Sequence, residues 1–464
     1  MSASVARIGD ALRLGLRSAW LVALVGLFGV VAVAALATRQ GVLPIVLALV
    51  LVGITTIVGF RWPLLPLLLF AALIPLEGVV VIEGFGTITR LVGILFAVTY
   101  GAPRLGRLAL GAMPPAAWAY LAWAILSLGW ALDPDTAMAQ LPTLLQLFLI
   151  AVLVADFVVQ RPAIVRPVLW VYSLSAAATA VIGAQFYLAQ GLATTRAVAI
   201  QSEDPAQFAA LLVPALVFGL YEVLHGDRRI LGGLISLLTT VGIVVSGTRG
   251  AWVGCAVTVV LFIVPRLTLR GRFAAVATIL ALIVVAYQIP GVADLVAERT
   301  GNALSSGGAG RTDIWSVAAT VYQSNPVLGV GYANFPVAYT ADVIRASGVG
   351  RLDFLVGRAP HDLVVGTVIE LGPIGLVLLA LFLGPLVLRR GWGANAAPIQ
   401  AALASLLTMA LFLDILSNRK QVWLVIGLAA GLAYLAQGQS RSVDGPRSDD
   451  RQSTARAPSG PTVV

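Results

Sequence analysis

His361, Arg311 and Arg249 are the residues in this sequence best placed to do chemistry. His361 follows Pro360 and opens a long apolar run. A neutral imidazole near pH 7 can take a proton from a hydroxyl, although a satisfied histidine at a membrane interface occupies the same kind of position. Arg311 stands after a glycine-rich stretch and before the helical pattern TDIWSVAATVY. A guanidinium beside helix N-terminal amides makes an oxyanion or phosphate site. An arginine whose stem snorkels toward headgroups would look alike. Arg249 lies in VVSGTRGAWVG, a break between two apolar runs. An ionisable group there is costly and calls for a partner or a function, unless it is a headgroup-facing residue in a glycine turn. Arg196, in LATTRAVAIQSEDPAQF, stands beside Glu203 and Asp204, so a surface salt bridge is its plain reading. Arg419 and Lys420 read as headgroup anchors, with Lys420 a possible support to the site. Asp362 directly follows His361 and is a second possible support, although adjacent side chains often diverge.

No cluster of His, Cys, Asp and Glu has metal-ligand spacing, so the expectation is no metal and no cofactor. The single cysteine, Cys255, can form no intramolecular disulfide.

The elements that must position these residues follow from composition. Of 464 residues, 59% are apolar and 11% are charged, against roughly 25% in an average soluble domain. Mean hydropathy is +0.95. Soluble, disordered and coiled-coil readings are excluded, and the expectation is an all-α polytopic protein of about 12–14 transmembrane spans. The net charge of +9 is spread singly or in pairs between apolar runs, so it sets orientation and implies no nucleic-acid partner. Most arginines fall in connections that share a side with Arg7, Arg13 and Arg17, which puts both termini in the cytoplasm. The chain then divides into transmembrane helices over 1–290, a large extracytoplasmic segment over 291–361, three spans over 362–436 and a polar tail over 437–464 that should be disordered. The expected spans at 63–82 and 87–102 are interrupted by Glu77, Glu83 and glycines. In the 291–361 segment, Ile314, Trp315, Ala318, Val321 and Tyr322 recur at helical spacing, with Thr312 as the expected N-cap, and SNPVLGVGYANF reads as a turn and a glycine-flexible segment.

The order SGTRGAW, then GRTDIW and NPVLGVGYANF, then PHDLVVGTVIELGPIGLVLL resembles the O-antigen ligase and polymerase superfamily of bacterial envelope glycan enzymes. QSEDPAQFAALLVPAL resembles that family's span opened by an Asp/Asn-Pro motif, and NRKQVWLVIGL resembles its closing span. The likeness covers roughly residues 200–436. It implies a GT-C-like enzyme in the bacterial inner membrane with its site facing the periplasm. Such an enzyme moves a glycan from undecaprenyl diphosphate to an acceptor hydroxyl, lipid A-core for a ligase or a growing chain for a polymerase, with inversion and without metal. The expected partners are therefore the lipid-linked donor, the glycan or lipid A-core acceptor and membrane lipids. By this resemblance the family's essential arginines fall on Arg249 and Arg311 and its loop histidine on His361. The expectation is that Arg249 and Arg311 hold the diphosphate and His361 is the catalytic base, and the inventory of outer-loop arginines adds Arg196 as a weaker third. Many members have Asn after the histidine, where this chain has Asp362. A lipid-linked sugar flippase is the alternative of another class; it would show internal repeats or paired broken helices, and no repeat of fixed period is present.

Overall fold

A computed structural model describes residues 59–77, 81–82, 86–189, 204–260, 264, 267–288, 292–293, 296–297, 301, 311–349, 356–388, 396–414 and 416–443. The expected span at 20–38, most of that at 42–60, Arg196 and most of the tail lie outside the described residues.

The described chain is helical apart from a two-residue antiparallel pairing of β1 (Val81–Ile82) with β2 (Gly86–Thr87). The elements in order are α1 (Leu64–Leu73), β1, β2, α2 (Ile88–Phe96), α3 (Pro115–Leu126), α4 (Pro134–Gln160), α5 (Val165–Ala189), α6 (Pro205–His225) and α7 (Arg229–Val245). They continue as α8 (Arg249–Thr258), α9 (Leu269–Tyr287), α10 (Arg311–Ser324), α11 (Phe335–Ala338), α12 (Ala341–Ala346), α13 (Leu363–Leu388), α14 (Ala396–Ala410) and α15 (Lys420–Val443). Five of these stretches are long and apolar enough to cross a membrane: Pro134–Gln160, Pro162–Ala189, Pro205–His225, Leu363–Leu388 and Lys420–Gly438. The protein is a polytopic helical membrane protein.

Several expected spans are shorter than their apolar runs. The run 63–82 yields only α1, because Pro75 and Glu77 end it and the chain turns into the β1–β2 pairing. The run 87–102 yields α2, capped by the Thr87 hydroxyl on Arg90 N, and then loosens into a π and a 3-10 turn. The closing helix runs past the expected end at 436 to Val443.

Without water to drive association, membrane helices pack through close backbone approach. Gly427 and Gly431 on α15 face α4: a Cβ at either position would lie 2.7 Å from the Ala151 or Ala155 carbonyl oxygen. Gly219 on α6 and Gly232 on α7 meet in the same way. Trp423, fully buried, sits edge-on to Phe148 at 6.0 Å between ring centres. On the outward faces, large apolar side chains such as Phe273, Leu280 and Val284 of α9 or Val377 and Leu381 of α13 are exposed, as suits a lipid surround.

Candidate functional site

The break before α8 is built by Ser246–Gly247–Thr248. Gly247 has φ of 61°, a left-handed value that glycine adopts without strain. Thr248 N donates to Ser246 Oγ at 3.2 Å, and Thr248 Oγ1 donates to the Pro205 carbonyl at 3.1 Å, which ties the turn to the start of α6. Arg249 therefore stands as the first residue of α8, at its N-terminus.

Arg311 likewise opens α10, one residue ahead of the expected Thr312 cap. Ile314, Val317, Ala318 and Val321 bury the inner face of that helix, while Trp315 is 39% exposed. The Arg311 Nη2 donates to the Phe412 carbonyl at 2.8 Å, and its guanidinium lies 5.4 Å from the Phe412 ring centre. One edge of the fork is thus fixed. Burial first, and then the neighbouring Arg249 cation, pull Arg311 below the ordinary guanidinium range, while Asp362 and Asp204 oppose them. Arginine remains charged regardless.

His361 has φ of 51°, a left-handed value uncommon outside glycine. Such backbone costs about 1–3 kcal/mol and tends to occur at functional positions. It turns the chain immediately before α13, whose start is capped by Asp362: Oδ1 accepts from Val364 N at 2.8 Å and Val365 N at 3.0 Å. Asp362 thus holds the helix end, and its hydrogen bonds do not go to His361. Burial lowers His361 below 6.5; Asp204 and Asp414 pull it up, Arg311 and Arg358 push it down. The imidazole is neutral at pH 7.

These three residues meet in one cavity of about 260 Å³. Its wall also includes Arg358, Asp204, Thr248, Met409 and Phe412. Asp204 is the one carboxylate among its described lining residues, and its side chain caps α6 through Ala206 N at 2.9 Å. In the sequence Asp204 reads as a partner for Arg196 and as the Asp of a span-opening Asp-Pro motif, without a place in the site, and Arg358 has no assigned role. The signal for Asp204 was its place before Pro205 at a span opening, and for Arg358 its place three residues before His361. Lys420 does not join the site: it pairs with Glu77, beside Thr87, and is not among the lining residues. Cations dominate the cavity, which can bind an anion with several forks while a neutral imidazole takes a proton nearby.

A backbone clasp holds the His361 end of α13 in place. Gly372, at φ of 68°, breaks α13 and frees the carbonyls before it. Val330 N donates to the Ile369 carbonyl and Gly331 N to the Glu370 carbonyl, both at 2.9 Å, and Trp123 Nε1 donates to the Leu371 carbonyl at 2.8 Å. The Glu370 carboxylate accepts from Ala333 N at 3.0 Å and Phe335 N at 3.2 Å. Ala333, at φ of 58°, is held between those two contacts. A Cβ on Gly372 would collide with the Val327 carbonyl. NPVLGVGYANF is therefore no flexible segment: its glycines let it lie against the broken helix as a fixed strap.

Residues 234–380 match the family model described as O-antigen ligase. No curated protein matches the chain. The matched segment runs from α7 through the clasp into α13 and contains Arg249, Arg311, Arg358 and His361. The segment that supplies most of this cavity thus matches the O-antigen ligase model, which supports the O-antigen ligase/polymerase superfamily for this membrane protein.

Proposed function

We propose that this protein is a glycosyltransferase of the ligase type, moving a glycan from undecaprenyl diphosphate to an acceptor hydroxyl on lipid A-core at the outer face of the inner membrane. The observation that carries this reading is the meeting of Arg249, Arg311 and Arg358 with a neutral His361 in one cavity. Neighbouring guanidiniums repel one another, and an anion between them relieves that repulsion. A diphosphate answers this arrangement, since each arginine can bind two of its oxygens.

The reaction needs one displacement. The acceptor oxygen attacks the anomeric carbon, the bond from that carbon to the diphosphate oxygen breaks, and the electron pair leaves with the diphosphate. His361 takes the acceptor proton. Arg249 and Arg311 neutralise the charge that grows on the leaving group, with Arg358 beside them and Arg196 as a weaker contributor. The polyprenyl chain runs between helices into lipid, and the configuration at the anomeric carbon inverts.

The test is reconstitution of the full chain in lipid vesicles with an undecaprenyl diphosphate-linked glycan and lipid A-core, followed by mass analysis. The expected product is lipid A-core heavier by the glycan, formed equally with EDTA present. A longer undecaprenyl-linked glycan in place of that product would mark a polymerase. A strict requirement for a divalent metal would overturn the arginine-based account.

A further inference from the structure

A second, smaller cavity of about 50 Å³ lies behind the first. Tyr120, Tyr332, Thr367, Glu370 and Asp414 are among its walls. The two cavities share a partition. His361 and Leu413 face the larger, whereas Pro360, Asp362 and Asp414 face the smaller. Their chemistry is opposite. The larger is lined with guanidiniums, the smaller with carboxylates and phenols, and a phosphate entering it would meet repulsion.

Hydroxyl groups are what this second lining suits. Carboxylates accept from them, and phenols both donate and accept. Tyr332 is 6% exposed, and its hydroxyl has no hydrogen-bond partner among the described residues. Tyr332 lines the cavity, so its hydroxyl can bond to a ligand that enters it. The backbone around it is fixed: Tyr332 N donates to Ser127 Oγ at 3.0 Å, and Glu370 holds the next turn through Ala333 N. Thr367 and the Tyr120 phenol stand in the same lining. Asp414 accepts from Ser417 Oγ through Oδ2 at 2.9 Å and has a second oxygen to offer. The volume admits a few waters or the hydroxyl-bearing edge of a sugar, and not a whole ring.

We propose that the smaller cavity is an acceptor subsite, in which the Tyr332 hydroxyl and the Asp414 carboxylate hold hydroxyl groups at one edge of a neutral sugar while a neighbouring hydroxyl of that sugar faces His361. The inference rests on the transferase reading and gives it a division of labour: anion on the guanidinium side of the partition, polyol on the carboxylate side.

The experiment uses the full chain in lipid nanodiscs and two probes. Saturation-transfer NMR measures binding of a panel of methyl hexosides and methyl N-acetylhexosaminides, and a separate titration measures undecaprenyl diphosphate. At least one methyl glycoside should bind the wild type. Its affinity should fall about tenfold or more in Tyr332→Phe and in Asp414→Asn and stay within twofold in Arg311→Ala. Undecaprenyl diphosphate should show the reverse pattern. Thermal unfolding establishes that each variant is folded, and either conservative variant alone suffices. A wild type that binds no methyl glycoside overturns the subsite, as does glycoside binding indifferent to Tyr332→Phe or equally lost in Arg311→Ala. Failure of undecaprenyl diphosphate to bind the wild type would overturn the transferase reading, while the glycoside arm still reports on the smaller cavity.

Discussion

Arginines and carboxylates meet in the cavity around His361 and again on α4, and the two meetings are built differently. Near the C-terminal end of α4, Asp156 is fully buried and saturated. It accepts from the Tyr100 hydroxyl, from Arg104 Nε at 3.0 Å and from Ala109 N at 2.8 Å, and Arg104 also lies over the Tyr100 ring at 5.3 Å. At the other end, about 35 Å away along the axis, Asp133 N donates to Asn334 Oδ1 at 2.7 Å and anchors the strap that leads toward His361. In the larger cavity beside His361, three arginines face one carboxylate among the described lining residues, the volume is open, and His361 itself sits at positive φ. A saturated ion cluster locks helices together. A cluster with surplus like charge and open volume stores unfavourable energy that a ligand can relieve.

The largest separation between the two regions should come from His361→Ala. Transfer should fall by about a thousandfold or more in the vesicle assay, with the unfolding midpoint unchanged. Activity near wild type would remove His361 from the chemistry. Arg311→Ala and Arg249→Ala come next, with about a hundredfold loss in turnover and weaker undecaprenyl diphosphate binding. Lysine at either position should rescue only in part because the fork is lost. Asp156→Asn should give the converse result, a loss of about 1–3 kcal/mol in stability with transfer per folded molecule intact. If it instead lowered transfer at full stability, the contrast drawn above would fail.

The acid side of the pH profile sharpens the comparison further. His361 is held below 6.5, so transfer should persist at pH 6.5 and decline only at lower pH, as the imidazole gains its proton. Asp204 pulls that value up, and therefore Asp204→Asn should move the acid limb to still lower pH. A shift to higher pH would contradict the placement of Asp204. The smallest effect belongs to the exposed Arg345–Asp342 pair on α12, a contact of 2.6 Å in open solvent. Arg345→Ala should leave both stability and transfer unchanged within error.

The sequence made the cationic half of the site readable, because an arginine or histidine at the end of an apolar run is conspicuous. The acidic half was not readable in the same way. Glu370 and Asp414 lie inside runs that scan as spans, and their signal was the rarity of a carboxylate there. Helix type was legible from hydropathy, but length was not: α1 stops short at Pro75 ahead of the β1–β2 pairing, and α2 gives way at Ala97 to a π and a 3-10 turn. The Gly372–Pro373 dipeptide marked a break in α13, a breaker signal within a run that otherwise reads as one span. The strap illustrates the harder case. Its glycines suggested freedom, whereas the folded chain uses them for close approach, and only the partner surface on α13 decides between the two.

The break at Gly372 has a mechanical consequence. An unbroken helix transmits rotation along its length, and each residue gained or lost turns everything beyond it by about 100°. Here the phase of 363–371 is set by hydrogen bonds to the strap and to Trp123, independently of 373–388. The lipid-facing half can thus tilt or slide to match the thickness of the bilayer without swinging His361 away from its arginines.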